Sequence, residues 1–280
     1  MFIFATCLKS MKRLIYTLLA VILFASCSEY QRVLKSEDIA LKFKTGTELF
    51  DAGKYGKAQR VFEQIVPQYR GKPQAQKLMY MHALTYYHTR DYYTANYHME
   101  RFVNAYPESE KVQEVAFLGA KSYYHLPPVY SKEQKETYDA IEKLQGFINL
   151  YGDSEYLEEA NKMVQELDFR LEKKAYEIAK QYHTLGPHNR DFEAAIKAFD
   201  NFILDFPGTS FKEDAMFYRF DSAYELAINS IETKKEDRVN NAITLYNTFA
   251  GRYQESKYIE EANRKNEELL KLQEQYNNKG

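Results

Sequence analysis

One pattern of aromatic and polar positions recurs four times along the 280-residue chain, over residues 102–116, 147–160, 195–215 and 249–262. In each copy a Phe precedes a second aromatic residue by four positions, then comes Pro, Gly or Gln, and a Ser or Thr follows two positions later. The aromatic pair lies on one face of a helix, the Pro or Gly ends that helix, and the hydroxyl can cap the next one. The pattern therefore predicts a series of stacked helical hairpins.

From residue 39 onward the first three hairpins keep a period of 37 residues. A small residue, followed three positions later by a larger apolar or aromatic one, recurs at Gly46, Ala83 and Ala120. Small residues allow paired helices to approach closely, and this arrangement resembles the tetratricopeptide repeat, whose usual period is about 34. We predict an all-α solenoid of about five hairpins. Repeats 1 to 3 occupy 39–153, and a long helix, repeats 4 and 5 and a C-terminal capping helix occupy 154–280.

Three stretches depart from the regular repeat. Eight extra residues in the third hairpin, within 126–137, predict a longer connection at its tip. Residues 154–185 contain neither Gly nor Pro and carry apolar residues at helical spacing, which predicts one long helix or two helices with a kink. We expect Gly186 and Pro187 to end that helix, and residues 229–238 to extend the hairpin tip of repeat five.

The N-terminus has the layout of a secretory signal. Lys12 and Arg13 precede a short apolar stretch that ends in small residues, which predicts a cleaved segment over 1–26. The residues before Cys27 resemble a bacterial lipobox, in which this cysteine becomes the acylated first residue and 27–38 form a lipidated linker. The alternative is a plain signal peptide with an incidental cysteine. Against it, Cys27 is the only cysteine outside 1–26, and a lone thiol would be a liability in an oxidising compartment.

Composition and charge exclude several classes of function. Removal of residues 1–26 changes the formal net charge from −2 to −5, so no basic surface for nucleic acid is predicted. The sequence contains no glycine-rich phosphate loop, no GxSxG or HExxH motif and no cysteine pair for metal or redox chemistry. We therefore predict neither enzymatic activity nor a cofactor. His88 and His125 occupy equivalent repeat positions, but the surrounding residues are mostly Tyr, so we expect them to line a groove rather than to bind metal.

The chain is rich in rings, with 25 Tyr and 18 Phe but no Trp, and some of these rings recur with the period of 37. Two such series fall at positions that face the concave side in tetratricopeptide repeats. They form either a peptide-binding groove, where rings supply contact area and Tyr hydroxyls reach peptide carbonyls, or packing against the neighbouring hairpin. The predicted groove residues are Phe43, Phe50, Tyr80, Tyr87, His88, Phe117, Tyr124 and His125.

The lipobox, the five repeats and about 250 mature residues together resemble the BamD family, lipoproteins of the machinery that inserts β-barrels into the bacterial outer membrane. The most specific local match is an Arg-Leu pair that opens an aromatic-rich helix, followed by a joint at Phe206-Pro207. The matching residues of that helix are Arg170, Leu171, Lys173, Tyr176, Ala179 and Tyr182. The connection at 186–191 and the hairpin tip at 229–238 depart from the family pattern.

The resemblance implies a non-enzymatic lipoprotein at the outer membrane, facing the periplasm. It also implies two partners: the POTRA domains of a BamA-like barrel protein, coupled through the segment of Arg170 and Tyr176, and unfolded barrel substrates received by the N-terminal repeats. Two other classes stay open. One is a general periplasmic tetratricopeptide scaffold of the envelope, and the other is a glycan-binding lipoprotein of the SusD type, a family that is usually rich in Trp.

Overall fold

The computed structural model describes residues 29–189 and 191–277. The predicted secretory signal and Cys27 lie outside the described residues. Within them the chain forms twelve α-helices and no strand. Residues 29–35 form helix α1. The other helices are α2 (Ile39–Asp51), α3 (Tyr55–Ile65), α4 (Ala75–His88), α5 (Tyr92–Ala105), α6 (Val112–Tyr124), α7 (Lys135–Leu150), α8 (Leu157–Asn189), α9 (Glu193–Asp205), α10 (Lys212–Ile228), α11 (Glu232–Arg252) and α12 (Ile259–Asn277), with a 3₁₀ turn at Val66–Tyr69.

The described chain forms two compact units. Unit 1 contains the described residues up to Pro127 together with Lys135–Val164, and unit 2 contains Pro128–Gln134 and the described residues from Gln165 onward. In unit 1 each helix from α2 to α7 packs on the next one, and in unit 2 the same holds from α9 to α12. Consecutive packed helix pairs confirm the predicted all-α fold of the tetratricopeptide type.

The recurrent joint has the geometry that its sequence predicts. The paired rings contact each other in all four copies, with centroids 5.3 Å apart in the first (Phe102 and Tyr106) and 5.9 Å apart in the last (Phe249 and Tyr253). The hydroxyl that follows accepts a hydrogen bond from the backbone N–H two residues later. The four hydroxyls belong to Ser109, Ser154, Thr209 and Ser256, at N···O distances of 3.1, 3.4, 3.0 and 3.1 Å. These side chains are 7–8% exposed, so the caps are shielded from water.

Close approach of helices explains the small residue at the start of the period. Gly46 faces the ring of Phe62, and a Cβ added at Gly46 would lie 2.5 Å from that ring. Phe62 is fully buried and cannot easily move aside. At the equivalent positions Ala83 and Ala120 are buried as well.

The long helix is a single element, α8, with 33 residues. It continues through Pro187 to Asn189, so the expectation that Gly186 and Pro187 end the helix is wrong. Gly186 instead provides space, because a Cβ there would lie 2.4 Å from the ring of Phe192. Pro187 has no N–H to donate to the carbonyl four residues earlier, so the helix continues through it with one backbone hydrogen bond fewer.

The two hairpin tips behave differently. The third hairpin has the longer connection that its insertion predicts, since α6 ends at Tyr124 and α7 begins at Lys135. In repeat five the predicted extended tip at 229–238 is wrong, because α11 already begins at Glu232. The side chains of Asn229 and Ser230 bond back to carbonyls of α10, which ends that helix. The polar residues that follow then form the first turns of α11.

Substitution of Gly46 by Ala should destabilise the protein by about 1–3 kcal/mol, because the added Cβ overlaps the buried Phe62 ring. The matched control is Gly146→Ala in the interior of α7, where nothing lies within 4 Å of the added Cβ. There the substitution should stabilise by about 0.5–1 kcal/mol, since Ala favours the helix. Urea unfolding of both variants measures the change in the free energy of unfolding, which should be negative for Gly46→Ala and positive for Gly146→Ala. Equal changes would refute a specific close approach at Gly46.

His82 should make stability depend on pH. It is 4% exposed, and its Nε2 atom has no hydrogen-bond partner among the residues that the structure describes. Burial, with His98 and Arg101 nearby, lowers the pKa of His82 from 6.5 to about 3. The unfolded chain therefore binds a proton at mildly acidic pH that the folded chain does not, so stability falls as pH drops below 6.5. From pH about 7 to about 5 we expect His82 to account for a loss of about 2 kcal/mol.

Urea unfolding at several pH values measures this loss. His82→Leu should reduce the pH dependence by that amount, and His188→Leu, at an exposed side chain near the end of α8, is the control for the loss of a surface histidine. An identical pH dependence in wild type and His82→Leu would contradict the assignment.

Candidate functional site

A series of rings lines the turns inside the first three hairpins, where one helix of a pair ends and the other begins. All its members belong to unit 1. We call this the tip series, and it consists of Phe50, Tyr55, Tyr87, His88, Tyr92, Tyr124 and His125. It contains five of the eight predicted groove residues and adds Tyr55 and Tyr92.

The tip series repeats one contact. His88, at the end of α4, stacks on Tyr55, at the start of α3, with ring centroids 4.0 Å apart and planes at 11°. One period later His125 stacks on Tyr92 with centroids 4.6 Å apart and planes at 23°. Each imidazole thus covers the Tyr that opens the second helix of the preceding hairpin. The 37-residue period of the sequence therefore corresponds to a repeated ring contact in the structure.

Edge contacts connect these stacks into one surface. Phe50 meets Tyr55 at 5.4 Å, and Tyr87 meets Tyr92 at 5.9 Å, both edge to face. Tyr124 contacts His125 at 5.6 Å in the same manner. Such pairs contribute about 0.5–1.5 kcal/mol each beyond their buried area. Tyr55 and Tyr92 are also 37 residues apart, so the same search for period would have found them.

The tip series is electrically neutral near pH 7. Burial lowers the pKa of both His88 and His125 below 6.5, and the cations Lys121 and Arg90 lower the pKa of His125 further. Burial raises the pKa of the Tyr87 hydroxyl to about 12. His88 and His125 are exposed while Phe50, Tyr87 and Tyr124 are half-buried. The surface therefore offers rings, imidazole nitrogens and protonated hydroxyls, which suit peptide groups and other rings better than an anion.

The other predicted row of groove residues packs against neighbouring helices. Phe43 is half-buried and stacks on Tyr69 at 5.2 Å. Tyr80 donates a hydrogen bond from its hydroxyl to Glu114 Oε1 at 2.7 Å. Phe117 is only 2% exposed. Its ring stacks on Tyr156 with centroids 4.7 Å apart, so its assignment to the groove is corrected: Phe117 is a core residue.

A cavity of 440 Å³ lies beside the tip series in unit 1. Phe50 and Tyr80 form part of its wall, and Lys77 and Lys111 supply ammonium groups. Lys111 pairs with Glu114 at 2.9 Å. Asp51 also lines the cavity, which therefore combines ring surface with charged groups of both signs next to the rings at the hairpin tips.

In unit 2 the predicted coupling residue Arg170 lies on α8. Together with Lys173 and Lys174 it contacts the loop at 128–134. Its Nη1 atom donates to the carbonyl of Pro128 at 3.3 Å. Lys174 Nζ donates to the carbonyl of Lys132 at 2.8 Å, and the Lys173 ammonium lies 4.6 Å from the centroid of the Tyr130 ring.

Tyr176, the second predicted coupling residue, does not reach the surface. It is 4% exposed and stacks on Phe211 with centroids 4.7 Å apart. Its role as a direct partner contact is therefore corrected to that of a core residue beneath the Arg170 surface.

Unit 2 also brings a serine, a histidine and an aspartate together. His183 Nδ1 lies 3.0 Å from Ser222 Oγ, and His183 Nε2 lies 3.4 Å from Asp221 Oδ2. Ser222 is fully buried and donates to the carbonyl of Tyr218 at 2.7 Å, while the ammonium of Lys265 pairs with Asp221. A substrate cannot reach this hydroxyl, so the cluster links α8, α10 and α12 as a buried polar network.

Among residues 29–189 and 191–277, no group of three or more His, Cys, Asp or Glu side chains could hold a metal ion. Within the same ranges, every helix is too short or too polar to cross a membrane.

Comparison with known proteins identifies a family that the chain matches. No curated protein matches the chain. The YfiO family, described as outer membrane lipoprotein, matches residues 37–188, which is more than half of the 280 residues. The match extends from the residues just before α2 almost to the end of α8, and it includes the whole tip series and Arg170. The chain therefore belongs to the YfiO family of outer membrane lipoproteins.

Proposed function

We propose that this outer membrane lipoprotein is a non-enzymatic component of the machinery that assembles β-barrels in the outer membrane. In this proposal Cys27 is acylated and the folded part faces the periplasm. Unit 1 receives unfolded barrel substrates, and unit 2 binds the POTRA domains of a BamA-like barrel protein. Membership in the YfiO family supports the association with the outer membrane, and the sequence resemblance described above supports the partners.

The tip series is the observation that carries the substrate-binding proposal. Strands of a transmembrane barrel alternate apolar and polar residues and carry aromatic residues at the membrane interfaces. Before insertion such a strand exposes rings together with unpaired backbone N–H and C=O groups. Stacked rings at Tyr55/His88 and Tyr92/His125, with Tyr hydroxyls alongside, complement both kinds of group. The neutrality of the imidazoles avoids the cost of burying a charge beneath an apolar segment.

The Arg170 surface supports the partner proposal for unit 2. Its guanidinium and the Lys174 ammonium both bond to backbone carbonyl oxygens of the loop. A carboxylate on a partner would form charge-assisted hydrogen bonds, which are about twice as strong as those to a neutral acceptor. An acidic POTRA surface could therefore compete for these cations, with the buried Tyr176 fixing the position of α8 below.

Purification of the full-length protein from detergent-solubilised membranes tests the assignment. We expect a near-stoichiometric partner that carries POTRA domains and a C-terminal barrel, and mass spectrometry should find an acylated Cys27 peptide. An acylated protein without that partner would instead favour the general envelope scaffold. An unmodified Cys27 would refute lipid anchoring.

Replacement of Tyr87 and Tyr124 by Ala should weaken binding of a barrel-strand peptide with a terminal aromatic residue by about 1–3 kcal/mol, because two ring contacts with the peptide disappear. Fluorescence anisotropy of the labelled peptide measures the affinity, and circular dichroism should show unchanged helicity. The matched control is Tyr138→Ala, at a ring on α7 that is 60% exposed and lies outside the tip series.

Two results would contradict the peptide-binding role. A loss of helicity that parallels the loss of binding would identify Tyr87 and Tyr124 as core residues. Quenching of tyrosine fluorescence by oligosaccharides, without quenching by the peptide, would favour the glycan-binding class.

A further inference from the structure

A second cavity, of 340 Å³, lies where α1 meets the first hairpin in unit 1. The short helix is held there by several contacts. Val33 is 6% exposed, and the Tyr30 hydroxyl donates to the carbonyl of Lys57 at 3.3 Å. The ammonium of Lys57 lies 5.2 Å from the centroid of the Tyr30 ring. The cavity is therefore built from residues 29–35 together with the facing parts of α2 and α3.

Among the residues that line this cavity, basic side chains outnumber acidic ones by one. Its lining includes three lysines, Lys44, Lys54 and Lys57, and two acidic residues, Glu29 and Glu48. Lys44 and Glu48 stand 4.0 Å apart with side chains 75% and 62% exposed, a geometry that contributes little stability. The ammonium groups of Lys54 and Lys57 are therefore the ones best placed to meet an external anion.

The sequence around this cavity also has a net positive charge. Within residues 29–60 basic residues outnumber acidic ones by two, whereas the mature chain as a whole has a net charge of −5. Arg32 and Lys35, both exposed, extend the basic surface along α1. Leu41 lies on the cavity wall and is 39% exposed, which gives the surface an apolar edge.

The short sequence distance between this cavity and Cys27 indicates that a membrane surface is its binding partner. Glu29 lines the cavity and follows Cys27 by two residues, which span at most about 7 Å. If Cys27 carries acyl chains inserted in a bilayer, the cavity lies at the headgroup layer of that bilayer. A single lipid anchor holds a protein only marginally, and a basic surface is the usual second contact.

We infer that this basic surface, formed by Lys44, Lys54 and Lys57 with α1, binds the phosphate groups of anionic phospholipids in the membrane that holds the anchor. The inference rests on the proposed acylation of Cys27 for its position, and on the arrangement of the cavity for its chemistry. Phospholipid binding at this surface holds the first hairpin against the bilayer. The acyl group then anchors the protein, and the basic surface sets its orientation.

Vesicle flotation tests this surface without the lipid anchor. The chain from residue 29 onward keeps every described residue and carries no acyl group. It should float with vesicles of equal parts phosphatidylcholine and phosphatidylglycerol and stay behind with pure phosphatidylcholine. Salt that shortens the Debye length to about 3 Å should abolish the binding. No flotation with the anionic vesicles at low salt would overturn the inference.

A pair of matched variants locates the site. Lys54→Gln with Lys57→Gln should lower the vesicle affinity by about 30-fold, which is roughly fivefold for each lysine near a charged membrane. Lys54 makes no side-chain capping bond, so the start of α3 should stay intact. The control, Lys234→Gln with Lys235→Gln on α11, changes the net charge equally and should have little effect. Equal losses in both pairs would show a non-specific charge effect and refute the site.

Two further arms separate the alternatives. Glycerol phosphate added in excess should compete only weakly, and full displacement at low concentration would identify a free-phosphate site in place of a membrane surface. The tested chain lacks Cys27 and needs no partner protein. A failure to find the POTRA partner or the acyl group therefore leaves this result unaffected, and a failure of flotation leaves the assembly role unaffected.

Discussion

The joint between hairpins depends on one buried hydroxyl that binds on two sides. Ser109, Thr209 and Ser256 each accept a hydrogen bond from the N–H two residues ahead. Each also contacts a polar side chain of the preceding hairpin: Gln76 donates to Ser109, while Thr209 and Ser256 donate to Glu172 and Glu213. A cap of this kind is worth about 0.5–2 kcal/mol. Its second bond fixes where the next hairpin starts relative to the previous one, within each unit.

The stacking of hairpins in unit 1 also sets the geometry of the tip series, although only the second and third hairpins are joined there through such a two-sided hydroxyl, Ser109. Helix α4 begins after Gln74 without a side-chain cap. When hairpins stack with a fixed register, their opposite ends also align, and residues one period apart become spatial neighbours. His88 then reaches Tyr55, and His125 reaches Tyr92. The candidate binding surface thus needs no loop of unusual structure. It arises because identical hairpins repeat equivalent rings, which explains why the stacks recur with so little change in distance and angle.

The sequence predicts equivalence between repeats better than it predicts burial. The period of 37 grouped the small residues at helix crossings and the rings that contact one another at the tips, although it predicted those rings for a concave groove. It also grouped Phe117 with Phe43 and Tyr80, although Phe117 lies between Phe147 and Tyr156 in the core. Tyr156 lies inside the recurrent pattern, two residues after Ser154, but the pattern does not show which ring Tyr156 covers.

Two other misses have similar causes. Tyr176 stacks on Phe211, a contact that depends on how α8 docks in unit 2. The end of α8 depends on the packing of Gly186 against Phe192, which no local helix-breaking rule contains. In each case tertiary packing determined the outcome. Local sequence rules predicted the structure correctly where both partners of a contact lie close in sequence. The hydroxyl caps, in which Ser or Thr bonds to the N–H two residues later, are the example.

The two candidate surfaces of unit 1 differ in charge: the tip series is neutral and the surface around α1 is basic. This difference follows from what each surface would contact. At the tip series partial desolvation lowers the pKa of His88 and His125, which favours uncharged imidazoles near neutral pH, so an apolar segment can cover the rings without burying a charge. Around α1 the lysines stay exposed in a chain whose residues 27–280 carry a formal net charge of −5, which would otherwise repel an anionic membrane. In the proposed membrane contact these lysines, which lie around the described helix nearest in sequence to Cys27, offset that repulsion.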